Sequence, residues 1–145
     1  MLVRKLIQIM MVLASFTLLA GAQEQPKTTI ENVPMKHTSP ASGKEMYTNY
    51  CAVCHGADGK GNGPAATALK VPPADLTALA KNNGGKYPAL KVAATIRGDG
   101  NVPAHGSKEM PIWGQLFRSI SGGHDAEVDQ RVANLTKYIE SLQAK

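Results

Sequence analysis

The sequence predicts an all-α domain folded around a bulky apolar group that its own side chains do not supply. Three observations carry this. Val128, Val132, Leu135, Ile139 and Leu142 recur at steps of four, three, four and three, the stripe that one face of an α-helix presents. No stretch alternates apolar and polar residues in the manner of a half-buried strand. The 145 residues include only two Phe, four Tyr and one Trp, few large rings with which to fill a core.

The elements follow in chain order. Residues 1–22 resemble a signal peptide. Arg4 and Lys5 precede an apolar run from Leu6 to Ala20, and Ala20-Gly21-Ala22 presents the small residues that signal peptidase accepts. Cleavage is expected after Ala22, which would deliver the protein to the periplasm. An uncleaved anchor is the rival reading, because the run falls only slightly short of the ~20 residues of a membrane span. Membrane contact is expected only in that case. A lipoprotein is disfavoured, since Ala22 stands where a lipidated cysteine would be needed. Residues 23–40 are polar, carry Pro26, Pro34 and Pro40, and form a flexible lead-in. Residues 41–145 then make one domain.

A first helix is expected from Ser42, a good N-cap, through Tyr47 and Tyr50 to Cys51. Gly43 near its start leaves a flat spot for the close approach of another helix. From Gly56 to Pro88 glycine and proline dominate, so this stretch is loop with one short helix around Ala74 to Leu79. A loop that long usually wraps something or carries function. Pro88 opens a helix that closes before Gly98, and an irregular stretch is expected from Gly98 to Gly114. The last helix has Asp125, Glu127 and Asp129 in its first turns and Lys145 at its end, as the helix dipole favours.

Charge excludes little but points away from nucleic acid. Of 16 Lys and Arg, the leader removes Arg4 and Lys5, leaving 14 against 11 Asp and Glu, a balance of +3. The lysines are scattered and form no run, so each is a solvated surface charge rather than part of a recognition patch.

The two cysteines, Cys51 and Cys54, are too close in sequence for a stabilising bridge, because stabilisation grows with the length of the loop closed. They are there for chemistry. Cys51-Ala52-Val53-Cys54-His55 is the C-x-x-C-H haem attachment pattern. Two thiols at this spacing on a helix can add to the two vinyl groups of one porphyrin, and the next residue can place an imidazole on iron. One covalently attached haem c, bonded through Cys51 and Cys54, would also fill the core and explain the wrapped loops. A thioredoxin-like dithiol would need a strand before Cys51, and structural zinc would need two more ligands.

Here the chain resembles the class I c-type cytochromes, the single-haem bacterial periplasmic family, over roughly Ser42 to Leu142. Gly43 and Tyr47 resemble the small and aromatic pair where first and last helices cross in that family, and Tyr138 resembles the aromatic of the last helix. The resemblance implies a cytochrome c fold of three to five helices. It also implies that the carbonyl of Pro64, in Gly63-Pro64-Ala65, accepts a hydrogen bond from His55 and orients it. Taken alone, Pro64 is a loop punctuator. Met110 lies in an irregular stretch and is followed by Pro111; in the family a Met-Pro pair at this place ligates iron. Met35 lies in the lead-in and Met46 has the spacing of core filler. His105, five residues before Met110, is the rival ligand. Trp113 and Arg97 are candidate donors to haem propionates, with packing and a solvated helix end as the plain alternatives.

The expected function is therefore electron transfer and not enzymatic catalysis. Larger redox proteins or membrane electron-transport complexes would be the partners, met in transient docking. The alternatives are a haem-dependent enzyme or sensor with a labile sixth ligand, or a tethered cytochrome subunit of a membrane oxidase or dehydrogenase. N-terminal sequencing of the protein purified from its native compartment should begin at Gln23. An N-terminus within residues 1–5 would establish the tethered form.

Overall fold

The computed structural model describes residues 35–99 and 110–144. The leader, most of the lead-in, His105 and Lys145 lie outside the described residues. Among those described there are five α-helices and no strand. Helices α1 (Gly43–Met46) and α2 (Ala52–His55) are joined by a π-helical stretch, Tyr47–Cys51, and run on as one rod. Helices α3 (Ala89–Arg97), α4 (Trp113–Ile120) and α5 (Asp125–Ser141) follow.

The rod starts where the N-cap predicts. Ser42 is extended and its Oγ accepts from the Glu45 N–H at 3.2 Å. It ends at His55, four residues beyond the expected Cys51, and is closed by Gly56, whose φ of +80° a side chain would resist. The carbonyls left over at the end of α2 are taken by the loop that follows. Gly61 N–H bonds His55 O at 2.8 Å, Gly63 N–H bonds Cys54 O at 3.0 Å, and Ala65 N–H bonds Val53 O at 2.9 Å. A Cβ on Gly63 would stand 2.5 Å from Val53 O, so only glycine lets the loop lie this close. The expected short helix in this region is present as a 3₁₀ turn, Leu76–Ala78.

Helix α5 buries Val128, Val132, Leu135 and Ile139, the predicted stripe. It crosses α1 at Gly43, where an added Cβ would meet Asn134 O at 2.1 Å and Tyr138 Cβ at 2.9 Å. Tyr47 and Tyr138 pack beside the crossing with ring centroids 5.2 Å apart. Phe117 of α4, Met46, Tyr47, Leu135 and Val132 are the largest fully buried side chains, so the core sits between the rod, α4 and α5.

Two expectations need correction. The stretch to Gly114 was expected to be irregular, but α4 begins at Trp113 with Gly114 inside it. Gly114 is not a breaker here: a Cβ would come within 2.3 Å of Arg97 O, so the glycine lets α4 pack on the end of α3. The lead-in was expected to be loose up to residue 40. Instead Thr38 is buried, Tyr50 Oη bonds the carbonyl of Lys36, Asn134 Nδ2 bonds Pro40 O at 2.9 Å, and Met35 packs on the core. The packed domain thus includes residues 35–40.

Substituting Gly43→Ala should lower unfolding stability by about 1–3 kcal/mol, the usual cost of overpacking. That outweighs the ~1 kcal/mol that alanine gains over glycine in a helix. Urea unfolding monitored by circular dichroism measures the difference.

Candidate functional site

The site grows out of the last turn of the rod. Cys51 is buried, Cys54 is half-buried, and both thiols are free. Burial, with Cys54 nearby, pushes the Cys51 thiol up to about 12. A dithiol exchange centre requires the reverse, a thiolate stabilised near neutral pH. Among the described residues no group of three or more His, Cys, Asp and Glu side chains forms a metal cage, so the zinc reading lacks its further ligands there.

His55 is 7% exposed, and its Nδ1 lies 3.0 Å from the carbonyl of Ala74. A carbonyl only accepts, so Nδ1 carries the proton and Nε2 keeps its lone pair. Burial holds the imidazole pKa below its ordinary value, against the Ala74 bond, which favours the charged form. The ring is therefore neutral at pH 7, as a metal ligand must be.

Ala74 replaces Pro64 as the residue that orients His55. Pro64 is exposed, and its neighbours Gly63 and Ala65 are bonded to the carbonyls of Cys54 and Val53, which holds that segment against the rod. The Ala74 carbonyl is held from both sides. Leu76 N–H bonds Gly59 O at 2.7 Å, and Asp75 caps the 3₁₀ turn, its Oδ1 accepting from Thr77 N–H at 2.8 Å and Thr77 Oγ1 at 2.6 Å. In the sequence the only local trace of this contact is the stiff Pro72-Pro73 directly before Ala74, which by itself does not single it out over Pro64.

Cys51, Cys54 and His55 open onto a cavity of about 470 Å³. Its other walls are the loop from Leu69 to Leu79, Val92 and Ile96 of α3, and Met110, Pro111 and Trp113 ahead of and within α4. Met110 is partly buried against the core, so the predicted thioether and imidazole line the same space. Trp113 also lines it and stacks on Tyr50, with centroids 5.3 Å apart and planes 27° apart. Arg97 does not line it. Its guanidinium pairs instead with Asp99 (Nε to Oδ2, 3.1 Å) and with Asp129. Among the described residues Lys91, not singled out from the sequence, is the only Lys or Arg lining the cavity. Arg131 was also missed, although it lies three residues after Val128 on the apolar stripe and is buried.

The residues present fit a haem. The volume lies within the ~300–1,000 Å³ of small-molecule sites, and the walls are mostly aliphatic and proline side chains. Two free thiols, an imidazole whose Nε2 keeps its lone pair, a thioether and one ammonium suit its vinyl groups, iron and carboxylates. An all-helical domain with this donor set is a c-type cytochrome domain. The family model described as cytochrome C oxidase, cbb3-type, subunit III matches residues 38–139, well over half of the chain, and the chain belongs to that family. Its domain is of the class I c type, a haem-binding, electron-transferring class. Neither the curated proteins nor the solved structures contain a significant match.

Asp75→Asn keeps an acceptor at the cap but loses the charge that strengthens the Thr77 bonds, so it should weaken the turn that presents the Ala74 carbonyl at neutral pH by less than the ~0.5–2 kcal/mol of a full cap deletion. Hydrogen bonds from Thr77 hold the Asp75 carboxyl below its ordinary value. A depressed folded-state pKa stabilises above the unfolded pKa and ceases to do so in acid. The stability difference between wild type and Asp75→Asn should therefore shrink as pH falls below about 4. Urea titrations at pH 7 and at the acid limit of folding measure it.

Proposed function

We propose that the protein carries single electrons on one haem c, bonded through Cys51 and Cys54 and ligated by His55 and Met110. The observation that carries this reading is that these four side chains line one cavity. One attachment motif and two cysteines account for one haem. When bound, the haem supplies the one-electron couple. The chain's own residues would bury it, orient the imidazole through Ala74 and, with Met110 as the second protein ligand, leave iron no position open to a substrate. The role is thus that of a carrier and not an enzyme. Lys91 takes the propionate role first considered for Arg97, with Trp113 as part of the wall.

The leader supports a periplasmic location, and the partners are larger redox proteins or membrane electron-transport complexes, met transiently. A second reading, a tethered subunit of a membrane oxidase, is favoured by the description of the matching family. Both readings share the same haem site and differ in what residues 1–34 do.

A Met/His ligand pair raises a haem's reduction potential. Met110→Ala should lower the midpoint potential sharply and allow carbon monoxide to bind the reduced protein. An unchanged potential in a haem-loaded variant would move the assignment to His105, and carbon monoxide binding to the wild type would favour a sensor or enzyme.

A further inference from the structure

Arg131 is 3% exposed, a charged side chain within the core. One side of its guanidinium meets Glu127 Oε1, from Nη2 at 2.8 Å and Nε at 3.1 Å, and Ser121 Oγ at 3.2 Å. Nη1 points elsewhere, to Thr38 Oγ1 at 3.1 Å. Thr38 Oγ1 in turn lies 2.9 Å from Tyr50 Oη, which also bonds the carbonyl of Lys36.

Counting protons fixes the direction of this chain. The guanidinium can only donate, so Thr38 accepts from it. Tyr50 has one hydroxyl proton and the Lys36 carbonyl can only accept, so that proton goes to Lys36. Thr38 must then donate to Tyr50. The three bonds run head to tail from Arg131 to Lys36, an arrangement in which each strengthens the next. At its far end the Tyr50 ring stacks on Trp113, and both rings line the haem cavity.

Replacing a buried ion pair with apolar residues of similar volume is often neutral or stabilising, so stability alone does not account for Arg131 in the core. We propose that Arg131 is a positioning residue for the haem: through Thr38 and Tyr50 it clamps the Tyr50–Trp113 wall, and makes residues 36–38 part of the site. This rests on the haem reading given above. A fixed wall keeps water out of the cavity, and a dry surrounding disfavours the more highly charged oxidised iron. Loosening the wall therefore lowers the potential.

The test uses the haem-loaded protein and compares Thr38→Val, Tyr50→Phe, the double variant and Arg131→Lys. Tyr87→Phe is the control; it removes a 2.9 Å bond to Thr136 O from a residue that does not line the cavity. The expected result is a lower midpoint potential in Thr38→Val and in Tyr50→Phe, with the double variant no lower than the larger single effect, because both break one chain. Arg131→Lys keeps the charge but cannot span Glu127 and Thr38 together, and lowers the potential likewise. Tyr87→Phe reduces stability and leaves the potential where it was. Haem-loaded Thr38→Val and Tyr50→Phe with the wild-type potential would overturn the clamp alone, as would an equal shift in Tyr87→Phe. A wild-type chain that takes up no covalent haem after competent maturation would overturn the haem reading and the clamp together.

Discussion

The contact on which the architecture depends is one where no side chain stands between two backbones. At Gly43 the rod and α5 approach until an added Cβ would lie 2.1 Å from the Asn134 carbonyl. That closeness brings Tyr47 onto Tyr138 and sets the apolar stripe of α5 against Met46 and Tyr47. With the rod pinned at its beginning, its far end has a fixed place, and the far end carries both thiols and the imidazole. Helices this short would not persist alone. They are held by the packing of α5, the one long helix among them.

A second constraint follows from the polar groups that a short helix leaves unpaired. The end of α2 exposes carbonyls that must find donors, and the loop from Gly56 onward supplies them through Gly61, Gly63 and Ala65. The same loop then doubles back so that Ala74 meets Nδ1 of His55. One segment therefore finishes the helix, orients the ligand and walls the cavity. In a chain poor in large apolar side chains, this much irregular structure surrounds a cavity of a size that an apolar cofactor would fill.

Much of this was legible in the sequence. Periodicity marked α5, the N-cap marked the start of the rod, and the C-x-x-C-H spacing marked three residues that line one cavity, because each is a local signal with one geometric meaning. The failures share a cause: each depended on what lies nearby in space and not in sequence. Gly114 looks like a helix breaker until the Arg97 carbonyl is seen beneath it. Arg97 looks free until Asp129 is brought beside it, 32 positions further along the chain. The prolines at 64 and at 72–73 are equally plausible neighbours for His55 by composition, and only the path of the loop separates them. Thr38 seemed part of a slack tail because its partner, Arg131, is 93 residues away.

The π-helical stretch from Tyr47 to Cys51 has a consequence for the angular layout of the rod. A turn that holds an extra residue advances the chain less per residue than an α-turn, which rotates everything beyond it relative to everything before. Tyr47, on one side of the stretch, faces Tyr138 of α5; Cys51, Cys54 and His55, at and beyond its end, face the cavity. Winding the same residues as a regular α-helix would swing the attachment residues by about 100°, the turn that one extra residue makes where ~3.6 residues complete a circle. The widened turn thus acts as a swivel set once by chain length, and the spacing between Tyr47 and Cys51 becomes as much a part of the haem-binding motif as the two residues between the cysteines.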